Sequence, residues 1–129
     1  MSESNFKSEI VTAEALVQAY KAGRRNFTGA NLMTVNLSHA DLKGANLSYA
    51  DLNAADLSHA NLRGADLSYA YLSNANLSGA DLRGAMLIGT DLQAAILEST
   101  MLDAANYDPK TTQFPAGFDP QQARLKPDR

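Results

Sequence analysis

The chain contains no cysteine, which removes disulfides, zinc–thiolate sites and thiol catalysis while leaving the redox compartment open. Four prolines and eight glycines in 129 residues are too few for a collagen-like or low-complexity chain. Charge of one sign is also scarce. Eleven Lys and Arg against fourteen Asp and Glu give a net charge of −3, so neither nucleic acid nor an anionic membrane is the default partner. No apolar run approaches the roughly 18 residues of a membrane helix. The first fourteen residues are broken by Glu3, Lys7, Glu9 and Glu14, unlike the uninterrupted apolar stretch of a secretory leader, and the expected location is cytoplasmic. What is present is a folding composition, 45% apolar and 19% charged, at a length that suits one core.

The core is written as a repeat. From Phe27 every fifth residue is large and apolar, through fifteen leucines from Leu32 to Leu102 and ending at Tyr107, seventeen units in all. Two residues before each stands a small residue, Ala in thirteen units, with Arg25, Val35, Thr90 and Thr100 as exceptions. Between them Asn or Asp is usual, giving A-[DN]-L-x-x. On a helix, five residues overshoot a full turn by about 140°, which smears the leucines around the axis. On a flat strand an odd period sends successive leucines to opposite faces. Within one unit, however, Ala and Leu are two apart and share a face, provided the chain turns before the next Ala. Each pentapeptide is then one side of a coil.

The number of sides follows from the outward residues. Asn36–Ala55 aligned with Asp56–Ala75 gives thirteen identities in twenty, including His39 with His59 and Tyr49 with Tyr69. Decoration that repeats every twenty residues implies four sides per coil, with equivalent residues stacked about 4.8 Å apart. The eighty-five residues from Arg25 to Pro109 make about four coils around an interior filled by Ala and Leu. Asp41, Asp51, Asp56, Asp66, Asp81 and Asp91 share their position with Asn, so a side-chain bond that holds a turn explains them better than charge does. Six glycines, from Gly29 to Gly89, fall at the second residue after the large apolar one, a corner where positive φ is expected. They lie in no phosphate-loop motif.

An unbroken array of this length resembles the pentapeptide-repeat proteins, over about two thirds of the chain. The resemblance implies an all-β solenoid, a right-handed quadrilateral β-helix. The flanks A-E-A-L-V-Q-A-Y-K-A-G-R-R-N-F and Y-D-P-K-T-T-Q-F-P-A-G-F-D-P are similar to the caps of small cyanobacterial members. Departures are Arg25 at the first inward position, and Tyr71, Met86, Ile96 and Met101 where Asn or Asp is usual. The expected organisation is a tail and capping helix over 1–24, the repeats over 25–109, and a cap and tail over 110–129. Thr12 starts the helix, Leu16, Val17 and Tyr20 give it an apolar face and Gly23 ends it. Phe114 and Phe118 plug the far end, Gln121–Leu125 add one short turn, and Lys126–Arg129 are loose.

Three outward stacks are candidates for function. Lys43, Arg63 and Arg83 stack on one side, followed by Asp103, and Asp41 and Asp81 lie two residues before the first and third of these cations. Tyr49 and Tyr69, near Tyr71, form an exposed aromatic patch. His39 and His59 form a second face without a third metal ligand. Arg and Tyr are frequent at binding hot spots, and a rigid coil presents them without an ordering cost. A filled column offers no catalytic pocket. The expected function is a non-enzymatic scaffold or interaction module without cofactor or metal, binding a protein partner, monomeric or associating end to end. The alternatives are a structural spacer and, as the resemblance implies, a DNA mimic that binds gyrase. Against mimicry, four basic residues interrupt the nine acidic ones of the array.

Overall fold

The computed structural model describes residues 12–128. It opens with helix α1, Ala13–Lys21. Thr12 is extended, and its hydroxyl accepts the Ala15 N–H at 3.1 Å, satisfying one of the helix's free donors. Leu16 is fully buried, while Val17 and Tyr20 pack partly buried against the core. Gly23, at φ 103°, turns the chain out of the helix. The Tyr20 hydroxyl donates to the Lys43 carbonyl at 2.6 Å, tying α1 to the repeats. The expected helix is thus present from Thr12 onward, and residues 1–11 lie outside the described part.

Beyond α1 the pairing is parallel throughout. Three two-residue strands, β1 (Met86–Leu87), β2 (Asn106–Tyr107) and β3 (Lys126–Pro127), form one sheet in that order. Elsewhere the pairing is a ladder of isolated bridges, Asn26↔Asn46, Asn31↔Asp51, Asn36↔Asp56, Asp41↔Asn61 and onward to Asp81↔Met101, each spanning twenty residues. A five-residue unit with a turn in it has room for one bridging residue, which is why so few named strands result. We call each twenty-residue interval a layer and each of its four pentapeptides a side. Three main-chain bonds tie each of the middle sides to the next layer: Leu32 N–H to Asp51 O at 2.8 Å, Thr34 N–H to Asn53 O at 2.9 Å, and Asp51 N–H to Ala30 O at 2.9 Å.

The corners are more uniform than glycine placement alone predicts. From Ala30 to Ala105 the N–H at each Ala position donates to the carbonyl of the preceding large apolar residue, as from Ala50 to Leu47 at 3.1 Å, and the residue just before the donor has positive φ. Ten of these sixteen corner residues are not glycine, including His39 (63°), Tyr49 (62°), His59 (59°) and Tyr69 (61°). A left-handed residue with a side chain costs roughly 1–2 kcal/mol. Bonds on both sides of the corner hold it there.

Leu32 to Leu92 are 0–2% exposed, so the inward ladder is as expected. Several inward assignments need correction: Val35, Ala40 and Thr100 are only partly buried. Arg25 is exposed; its guanidinium lies 3.7 Å from the Tyr20 ring centroid and donates to the Tyr20 carbonyl, because no anion awaits it inside. Leu97 is only partly buried. At the far end Tyr107 meets Phe114 edge-on at 5.6 Å, and Phe114 stacks on Phe118 at 4.9 Å. Gln113 pairs with Asp91. The turn at Gln121–Leu125 is present as bonded turns without a helix, with Ala123 N–H reaching Asp119 O at 3.2 Å. The loose tail is a further correction: Lys126 N–H bonds Ala105 O, and Asp128 N–H bonds Tyr107 O, each at 2.7 Å. Buried Leu125 anchors it, and β2 supplies an edge that requires a partner. No helix among the described residues is long and apolar enough to cross a membrane.

Candidate interaction surface

The acidic positions are built first as turn supports. Asp66 Oδ1 accepts the Ser68 N–H at 2.9 Å, and Asn46 Oδ1 accepts the Ser48 N–H at 3.0 Å. Asp and Asn therefore do the same work, two residues ahead. In several units a serine hydroxyl adds a second bond to the same oxygen, as from Ser58 to Asp56 at 2.6 Å. Together these two Ser58 donors hold the Asp56 carboxyl below the usual Asp range.

Asp81 has a further role. Arg83 donates to both its oxygens, Nε to Oδ1 at 2.9 Å and Nη2 to Oδ2 at 2.7 Å, and Arg63 Nε stands 4.0 Å from Oδ2. The Arg83 bond is the main reason the Asp81 carboxyl sits low. The Lys43–Arg63–Arg83 stack is therefore neutralised unevenly: Arg83 is engaged, Arg63 is near the same carboxylate, and Lys43 has no ion pair among the described residues. Asp103, next in the stack, pairs with Arg124 at 3.3 Å.

Tyr49 and Tyr69 stack with ring centroids 5.2 Å apart and 17° between planes, yet remain 58% and 44% exposed. They occupy the corner that ends the side beginning after Lys43 and Arg63, so the cations and the tyrosines border one side. Tyr71 is exposed beside them. His39 and His59 stack at 5.0 Å and 12°, on the corner before the cation side. Rings so nearly parallel hold equivalent nitrogens about as far apart as the centroids, whereas ligands of one zinc ion each lie about 2.0–2.1 Å from it. No group of three or more metal-type side chains occurs among the described residues.

About two thirds of the chain repeats one five-residue side, and comparison with known proteins names it. The family model for pentapeptide repeats matches residues 26–64 and 60–98 in eight copies. The chain is a pentapeptide-repeat protein. A crystal structure of a pentapeptide repeat protein from Nostoc PCC 7120 is 48% identical, with a TM-score of 0.90 over 92% of this chain and 98% of that one. A pentapeptide repeat protein from the cyanobacterium Cyanothece 51142 is 39% identical over 68% of this chain and 63% of its own, TM-score 0.40. HetL, involved in heterocyst differentiation regulation in Nostoc sp. strain PCC 7120, is 35% identical over 82% of this chain and 57% of its own, TM-score 0.33. The comparison with curated proteins returned no match.

For a pentapeptide-repeat chain the missed features lie at the cap. Two open depressions flank α1, about 400 Å³ beside Glu14, Val17 and Asn36, and about 290 Å³ beside Tyr20, Lys21, Arg25 and Asp41. Repeat periodicity carries no signal for them.

Proposed function

We propose that this pentapeptide-repeat chain is a right-handed, four-sided β-helix serving as a non-enzymatic interaction module. The constant twenty-residue register and the bonded corners support that architecture. The partner is a protein with an acidic patch, docking along the side bordered by Lys43, Arg63 and Arg83 at one edge and Tyr49 and Tyr69 at the other.

The observation that carries this reading is the exposure of a stacked tyrosine pair on a bonded corner. Such rings offer contact area with little freedom left to lose on binding. The dispersal of acidic residues favours this over a DNA mimic, since Asp81 is bound to Arg83. The test is capture from a lysate of the native cell with wild type and an Arg63→Glu/Tyr69→Ala double variant. Partners released by the double variant and by salt, at unchanged melting temperature, support the reading. Equal capture by both proteins removes it and turns attention to the His39–His59 face.

A further inference from the structure

The C-terminal end is closed unevenly. The side at Asn106 is continued by Lys126, and the side at Asp91 by Gln113. Among the described residues Ile96 and Met101 pair only with the preceding layer, through Asn76 and Asp81. One layer earlier, Leu77 N–H donates to Ile96 O at 2.9 Å, Gly79 N–H to Glu98 O at 3.0 Å, and Ile96 N–H to Ala75 O at 2.9 Å. The equivalent groups on the outer edge, the N–H of Leu97, the N–H of Ser99 and the carbonyl of Ala95, have no main-chain partner among the described residues. Side chains report the same gap. Ile96 is 43% exposed, and Leu97 is partly exposed where Leu77 beneath it is fully buried.

We infer that the Ala95–Ser99 edge binds an extended peptide segment of another protein, running parallel to it. The ladder dictates the contacts. A residue placed over Ile96 donates its N–H to Ala95 O and accepts the Leu97 N–H; the residue two further on accepts the Ser99 N–H. The residue between them points inward over Leu97 and is large and apolar. The one that follows lies over Glu98, which is exposed, and is Lys or Arg. A second copy meeting this edge about a two-fold axis would run antiparallel and bring two Glu98 side chains together, which disfavours that occupant. The site shares no residue with the Tyr–Arg side, so the two readings fail separately.

The probe is a fluorescein-labelled Ser-Ala-Ile-Leu-Lys-Gly peptide, followed by anisotropy and by amide exchange of the full protein. Saturable binding is expected, with exchange slowed at Leu97 and Ser99. Methylating the peptide's Ile nitrogen weakens it about tenfold or more. Glu98→Arg, an exposed change, weakens it about threefold and favours the peptide carrying Glu in place of Lys. The Arg63→Glu/Tyr69→Ala variant binds the peptide normally. Absence of saturation up to about 1 mM, indifference to N-methylation, or a dimer in which the Leu97 and Ser99 amides are already protected would each overturn the inference.

Discussion

The imidazole of His59 lies against Gly79: a Cβ at Gly79 would sit 2.6 Å from two of its ring atoms. Tyr69 and Gly89 repeat the relationship at 2.5 Å. Each ring stack thus leans toward the next layer and ends on a glycine. Gly84, with φ 70°, has nothing within 4 Å of the same added atom.

Gly84→Ala is therefore expected to cost only backbone strain, about 1–2 kcal/mol, as at Ala54 and Ala104, which already hold positive φ. Gly79→Ala should cost more, because the His59 ring must swing away. In a His59→Ala background the two glycine substitutions should become equal in chemical denaturation. A persisting difference would place the cost elsewhere.

Leu62 is fully buried, with layers before and after it. Leu62→Ala should lose about 3–5 kcal/mol. Leu62→Asp, which leaves a carboxylate without water or partner, should abolish the cooperative thermal transition seen by circular dichroism.

Asp66 offers a subtler comparison. Asp66→Asn keeps the bond to the Ser68 N–H and should shift stability by less than about 0.5 kcal/mol. Asp66→Ala removes that bond and should cost about 1 kcal/mol. Equal losses for both would show that charge matters here.

Asp56 and Asp81 are both held below the ordinary Asp value. A carboxyl whose pKa is lower folded than unfolded stabilises fully above its unfolded value, about 3.9. That contribution disappears as the pH falls through the folded values. Melting temperature should therefore fall below about pH 4, and less steeply in an Asp56→Asn/Asp81→Asn variant. An unchanged slope in the variant would reassign the acid sensitivity.

If the acidic residues serve turns, the purified protein should neither inhibit gyrase supercoiling nor relieve a quinolone block of gyrase. A clear effect in either assay would put the DNA-mimic reading ahead of the scaffold.

The parts of this molecule legible in its sequence are those that recur. Leu32 to Leu92 announce their burial by period, and the His39–His59 and Tyr49–Tyr69 pairs by a twenty-residue echo. Asp81 near Arg83 is legible too, since two residues on one side must be neighbours. The positive φ of Tyr49 is not, because nothing about that side chain favours it; the bonded turn imposes it. Lys126 and Pro127 look like a polar tail, and only the waiting edge of β2 makes them a strand. The incomplete closure beyond Leu97 is invisible for the same reason: it depends on where the non-repeating segment after Pro109 travels.

The twenty-residue register also governs how the chain finds its structure. Apart from the closing segments, each bridging residue has its partner one circuit away, so no very long loop has to close before pairing begins. Such a chain starts wherever two neighbouring circuits first meet and then zips outward in both directions. Twenty-residue lengths are interchangeable lengths of thread: removing twenty consecutive residues from the middle leaves every remaining stack in phase, whereas removing five sets every outward residue beyond the cut over a different partner.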